Sequence, residues 1–270
     1  MTKILKIKPF YSEKIWGYED WILSTHKNGH SIVQGKDINL VDYMGKELPI
    51  LNKIIKADDT LSIQVHPGDE FARKYENDNG KTECWYILDA KKSATLVCGI
   101  KKGQNKESFE QVIKQGNLEE YLERINVKAG DMIYIPAGTV HAIEGGLKLI
   151  EVQQSSDVTY RLYDWGRDRE VHIDKSLQVI DYEGKNKGGK IEDFKKLKTP
   201  YFTVEKIEVN SQHKDKVNTE EFHSYTVIDG SGEIVSNEER LKLEKEETIF
   251  IPFGIDYTII GNIQLLKSYV

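Results

Sequence analysis

Cysteine is scarce in this 270-residue chain, with Cys84 and Cys98 the only two. Two thiols cannot build a disulfide framework, and their scarcity fits a reducing compartment. Nothing around Cys84, which follows Glu83, would depress a thiol pKa, so both cysteines read as structural. Long apolar runs are missing too: no stretch approaches the roughly 18 residues of a membrane-spanning helix. The opening "MTKILKIKPFYSEKIWG" has neither the apolar stretch nor the small-residue cleavage site of a signal peptide. The expected location is cytoplasmic, with no membrane partner. An excess of basic charge is the third absence. Lys and Arg total 38 against 44 Asp and Glu, a net charge of -6, which argues against nucleic acid as a partner. A small phosphorylated ligand is compatible with that balance, since it needs only a local basic cluster. The short runs "IKKG" and "KKLK" read as solvated surface and do not identify one.

What the chain does have is a succession of short strands. "LSIQVH", "ECWYIL", "SATLVCGI", "DMIYIPAG", "LKLIEVQ" and "TYRLYDW" are rich in β-branched and aromatic residues and bounded by Gly, Asp or Asn. Such repetition favours barrels or sandwiches. One segment departs from it: Phe109, Val112, Ile113, Leu118, Tyr121, Leu122 and Ile125 fall at helical spacing, interrupted at Gly116. This predicts a helical insertion over 104–126. Around 182–200 glycine and lysine concentrate and the apolar rhythm lapses, which marks a boundary. Beyond it "IFIPFGIDY" aligns without a gap on the earlier "IYIPAGTVH", with Tyr257 standing where His141 stands. The expected architecture is all-β: a first barrel over 1–190 carrying the helical insertion, and a second, degenerate barrel over 195–270.

Alternation in the strand at residues 61–66 puts Ser62, Gln64 and His66 on one face and Leu61, Ile63 and Val65 on the other. A barrel with Gln and His inward has a polar cavity, and such groups are expensive to bury without partners. Glu83 opens the next strand on the same parity as Trp85 and Ile87, so its carboxylate can face that cavity. His141 follows the turn Pro136-Ala137-Gly138 and arrives from the far side. Gln64, His66, Glu83 and His141 together offer two imidazole nitrogens and two oxygens, a set that suits one zinc ion per chain and that Mn, Co or Fe would accept. Taken singly, each has a plainer reading: His66 as a turn residue before Pro67, Gln64 as a hydrogen-bonded polar group, Glu83 as surface.

The spacing from Gly130 through Pro136-Ala137-Gly138 to His141 resembles the second cupin motif, with Gly145 where an asparagine often closes it. Together "KIWG", "SIQVHP", "KTECWYIL", "IPAGTVHAI" and "LIEVQQSSDVTYRLYDWGR" resemble the short bacterial form of type I mannose-6-phosphate isomerases. The resemblance runs from Lys14 to about Arg167. It implies jelly-roll cupin barrels, the zinc ligands Gln64, His66, Glu83 and His141, and a sugar phosphate as partner. It also implies an aldose–ketose isomerisation of mannose 6-phosphate and fructose 6-phosphate through an enediol. Lys81 then matches the active-site lysine of a K-x-E motif, Arg161 the arginine four residues after Ser156-Asp157, and Glu151 the acid ten residues before it. Lys81, Glu151 and Arg161 are the implied catalytic residues, with Lys81 and Glu151 both eligible as the base. Asp157 and Trp16 are implied substrate contacts, although the dense aromatics Tyr11, Trp16, Tyr18 and Trp21 also suit an N-terminal strand packed over a barrel. Thr82 stands where proline is common in the motif.

Two other readings compete: an iron-dependent cupin oxygenase and a non-catalytic sugar-phosphate sensor. Gln64 in place of a histidine and the Arg161 segment weigh against the first, and the lack of an evident DNA-binding helix pair against the second. The second barrel is expected to lack metal, because Tyr257 is a poor ligand. Its His213 and His223 are read as surface residues, and its role as covering apolar outer faces of the first barrel.

Overall fold

A computed structural model describes residues 3–236 and 239–270. The chain is dominated by β-strands and divides into two compact units. One comprises Ser12–Glu19 and Ile54–Glu192, the other Met1–Tyr11, Asp20–Lys53 and Asp193–Val270. The linear division expected near residue 190 is therefore corrected at the N-terminus. Leu5–Lys8 pairs antiparallel with Thr248–Pro252, Leu5 opposite Phe250, and this long-range ladder draws the first residues into the later unit. Among the described residues no helix is long and apolar enough to cross a membrane.

The unit containing Ile54–Glu192 is a jelly roll built from two sheets. Five strands run in the spatial order Leu122–Asn126, Thr95–Ile100, His141–Ile143, Ile63–Val65, Tyr160–Tyr163. In the facing sheet the order includes Gly189–Ile191, Met132–Ile135, Glu83–Ala90 and Leu147–Gln154. The alternation read from sequence sorts side chains as sheet geometry requires. Trp85, Ile87, Leu96, Ile133, Ile143 and Leu149 fill one apolar cluster, and Leu61 joins them because the strand begins only at Ile63. Ile63 and Val65 turn the other way, into a second cluster with Phe109, Val112 and Leu177. Phe109 and Val112 lie on the helix Lys106–Lys114, and Leu177 lies on the helix Ile173–Val179. The outer face of this sheet is thus covered by helices of its own unit.

The helical insertion is shorter than its periodicity predicts. The helix Lys106–Lys114 starts at a capping box, Asn105 accepting from the Ser108 N–H, and its path ends near Gly116 at φ 75°. A 3₁₀ turn covers Leu118–Tyr121, but Leu122–Asn126 is a strand, paired with Thr95–Ile100 from Ile125 opposite Leu96. Two of the expected helical positions, Leu122 and Ile125, also suit an edge strand, and the open ladder of Thr95–Ile100 decides between them.

Among the described residues the other unit is built chiefly from a ten-stranded sheet, and its core includes Tyr225, Val227, Ile234, Ile249, Ile259 and Leu265. His223 is corrected from surface to core: it is 1% exposed, and its Nδ1 lies 2.7 Å from the Tyr257 hydroxyl. Tyr257 donates to Asp215 Oδ2 at 3.0 Å, as Lys267 Nζ does at 2.8 Å, and its hydroxyl meets that of Tyr225 at 2.8 Å. His213 is half-buried and approaches the same carboxylate at 3.8 Å.

Candidate metal centre

The Pro136-Ala137-Gly138 turn leads the chain to His141 by tying itself to both neighbouring loops. Gly138 sits at φ 89°, where a Cβ would meet the Val179 carbonyl oxygen at 3.0 Å, so glycine is required. Its N–H donates to His66 O at 2.9 Å, and its carbonyl accepts from Asp181 N at 2.9 Å. Thr82 secures the other side, accepting from Ala137 N at 3.2 Å and donating its own N–H to Gln154 Oε1 at 2.9 Å. A proline at Thr82 has no N–H to give, so the departure from the motif is built into the local bonding.

His141 pairs directly across the ladder with Gln64, which in turn pairs with Arg161, so these three residues share one face. His66, one residue past its strand, joins that side. Glu83 approaches from the opposite sheet: its Oε1 lies 3.5 Å from His141 Nε2 and its Oε2 3.6 Å from His66 Nε2. The potential donor atoms of His66, Glu83 and His141 all fall within 4.8 Å of one another, and all three residues are buried.

Both imidazoles are oriented from behind. His66 Nδ1 lies 2.8 Å from the Val158 carbonyl oxygen and His141 Nδ1 2.8 Å from that of Thr139. A carbonyl can only accept, so each Nδ1 carries the proton, and each Nε2 faces Glu83. Burial pushes the His141 imidazole down to about 4, against the opposing pull of its bond to Thr139, and keeps the ring neutral at pH 7. Its Nε2 is buried and has no hydrogen-bond partner among the described residues. Two imidazole nitrogens and one carboxylate are a donor set for a divalent cation, and a cation would satisfy that orphaned nitrogen.

The remaining candidates take distinct places. Lys81 is 5% exposed, with Nζ 3.2 Å from Glu83 Oε2 and 4.0 Å from Glu151 Oε1. Glu151 is 3% exposed and accepts at Oε2 from the Trp85 indole N–H at 2.9 Å. Arg161 is not a surface partner of Asp164, whose two oxygens are taken by Arg169 at 2.6 and 2.7 Å. Its Nε is buried and without a hydrogen-bond partner among the described residues. Asp157 is exposed, in the loop before Tyr160–Tyr163. Trp16 is 4% exposed and packs in the apolar cluster with Trp85 and Ile143, its carbonyl accepting from Asp58 and Asp59. The cysteines are chemically quiet: burial raises the Cys84 thiol well above its ordinary value and pushes Cys98 up to about 11.

Three contributors escape the sequence reading. The carbonyls of Val158 and Thr139 leave no side-chain signature. Trp85 left one, its shared parity with Glu83, which places it on the inward face.

Comparison with known proteins gives the family. The family model "Phosphomannose isomerase type I, catalytic domain" matches residues 18–95, and "Mannose-6-phosphate isomerase, cupin domain" matches residues 190–270. Mannose-6-phosphate isomerase ManA of Bacillus subtilis (strain 168) is 34% identical, with 100% of this chain and 99% of that protein covered. A crystal structure of the mannose 6-phosphate isomerase from Bacillus subtilis superposes with a TM-score of 0.91 at 29% identity, covering 100% of both chains. A mannose 6-phosphate isomerase crystallised with zinc and yttrium shares the fold, with a TM-score of 0.77 at 16% identity over 98% of this chain and 99% of that one.

Proposed function

We propose, from the premise that this chain belongs to the mannose-6-phosphate isomerase family, that it interconverts mannose 6-phosphate and fructose 6-phosphate at the centre formed by Gln64, His66, Glu83 and His141. The observation that carries this reading is the convergence of two backbone-oriented imidazoles on the Glu83 carboxylate, with Lys81 and Glu151 beside it.

The proposed resident ion is zinc, one per chain, held by Gln64 Oε1, His66 Nε2, Glu83 and His141 Nε2; Mn, Co or Fe suit the same donors. Such an ion supplies a fixed positive charge that polarises the C1 and C2 oxygens of the substrate and stabilises the negative charge developing on them.

The chain's own residues carry the protons. Isomerisation removes a proton from C2 and delivers one to C1, while a second proton passes between O1 and O2. Glu151, held at one oxygen by Trp85, is assigned the carbon-bound proton, taken up by its carboxylate and returned one carbon away. Lys81, in contact with Glu83 and near Glu151, is assigned as donor to the substrate oxygen whose proton shifts. Arg161 lies across the ladder from Gln64 and adds a fixed charge for an enediolate oxygen or the phosphate, and Asp157, in the exposed loop before that strand, is assigned to support the sugar. Trp16 is assigned a packing role in the cavity wall.

The test is a coupled assay for fructose 6-phosphate formed from mannose 6-phosphate, on chelator-stripped protein and on the same sample with zinc restored. Activity lost and regained supports both the reaction and the ion's part in it. Inactivity with metal demonstrably bound overturns the reading.

A further inference from the structure

Glu151 and Trp85 face each other across the ladder between Leu147–Gln154 and Glu83–Ala90. Trp85 is 0% exposed, and its indole N–H meets Glu151 Oε2 at 2.9 Å. Its ring stands edge-on to His141, with centroids 5.4 Å apart and an interplanar angle of 70°. One side chain thus touches both a carboxylate assigned to proton transfer and a residue assigned to the metal. A position that needed only filling would be served by Phe or Leu, because an indole N–H must find an acceptor when buried. An acceptor that served only that N–H would be better neutral, since a buried carboxylate carries a heavy desolvation penalty. The other Glu151 oxygen lies 4.0 Å from Lys81 Nζ, which places the carboxylate between the indole and the lysine.

We infer that Trp85 is a positioning residue for the isomerase reaction: its N–H fixes the Glu151 carboxylate at Oε2 and so keeps Oε1 directed at Lys81 and the substrate. The terminal torsion of a glutamate is broad and two-fold, and one N–H donor in the carboxylate plane selects an orientation that packing alone does not. Reaction rate depends on that orientation, because misplacement of a reacting group by about 1 Å can lower turnover by about a hundredfold. The inference rests on the proposed role of Glu151.

The experiment replaces Trp85 in two ways, by Trp85→Phe and by incorporating 3-benzothienylalanine at position 85. The second keeps the indole shape but exchanges N–H for sulfur, so it tests the hydrogen bond without emptying the core. For each variant, kcat and KM for mannose 6-phosphate, metal per chain and Tm are measured, alone and combined with Glu151→Gln. The expected result for the benzothienyl protein is a kcat lowered about tenfold. Its KM and metal content stay within about twofold, and in the Glu151→Gln background the replacement causes no further loss in kcat. An unchanged kcat overturns the inference. So does a loss that multiplies with that of Glu151→Gln, which marks packing rather than positioning. Full activity in Glu151→Gln alone removes the role of Glu151 and the inference with it, whereas an impaired Glu151→Gln with multiplying losses removes the inference and leaves Glu151 in place.

Discussion

The main-chain carbonyl of Val158 holds His66 Nδ1 at 2.8 Å, although 92 residues separate them. Thr139 does the same for His141 from two residues away. Both rings are aimed at Glu83 by main-chain carbonyls, and the predictions about metal follow from that arrangement.

Replacing Glu83 by Ala is expected to abolish stoichiometric metal binding, because it removes the charge on which both imidazoles converge. Elemental analysis after dialysis should find less than about a tenth of an ion per chain, against about one in the parent. Chelation of the parent should lower its Tm as well, since an ion bound at about a hundred times its Kd contributes roughly 2.7 kcal/mol.

Lys81→Ala and Arg161→Ala are expected to keep the metal and lose turnover. A positioned proton-transfer or charge-stabilising group contributes about 10²–10⁴-fold, so kcat should fall by at least about a hundredfold in each. Near-normal rates with metal bound would return either residue to a purely structural role.

In the unit containing Asp193–Val270, Asp215 gives an acid limit to stability. Burial is the largest influence on it and raises its pKa, but hydrogen bonds from Lys267 and from the Lys216 backbone, together with the Lys267 charge, outweigh burial and hold the carboxyl at about 2. A folded-state pKa below the unfolded value means the contribution is complete above about pH 4 and is lost as pH falls toward 2. Thermal unfolding between pH 2 and 5 should show this slope. Asp215→Asn should flatten it and lower Tm at pH 7 by roughly 2–4 °C.

Gly17→Ala tests the "KIWG" motif. Gly17 sits at φ 141°, and a Cβ there would lie 2.0 Å from the Lys56 carbonyl oxygen. The substitution should destabilise by at least roughly 2 kcal/mol, measured by denaturant unfolding, with the metal ligands unaltered.

The inward set was legible because strand parity is a strict two-residue rule. Gln64 and His66 alternate with Ile63 and Val65, and Glu83 shares parity with Trp85, so facing could be read before any contact was known. Less legible was whatever depended on long-range pairing. Leu122 and Ile125 fit a helix and a strand equally, and only the edge of Thr95–Ile100 chose between them. His223 was misplaced because nothing near it in sequence announces Tyr257, 34 residues on, as its partner. The place of Leu5–Lys8 is hidden for the same reason, since that strand pairs with one more than 200 residues later. The backbone carbonyls that orient His66 and His141 were out of reach altogether, because every residue type carries one.

The strand Ile63–Val65 has a helix-covered apolar face and a face directed at His141 and Glu83, and the two faces alternate residue by residue. A one-residue slip in its pairing would expose Ile63 and Val65 to the cavity and drive Gln64 and His66 under the helices. Such a chain could not assemble the ligand set, so metal uptake reports correct strand registry. Apoprotein that takes up the ion after synthesis has passed that check, and a mis-registered population would be visible as protein permanently refractory to metal.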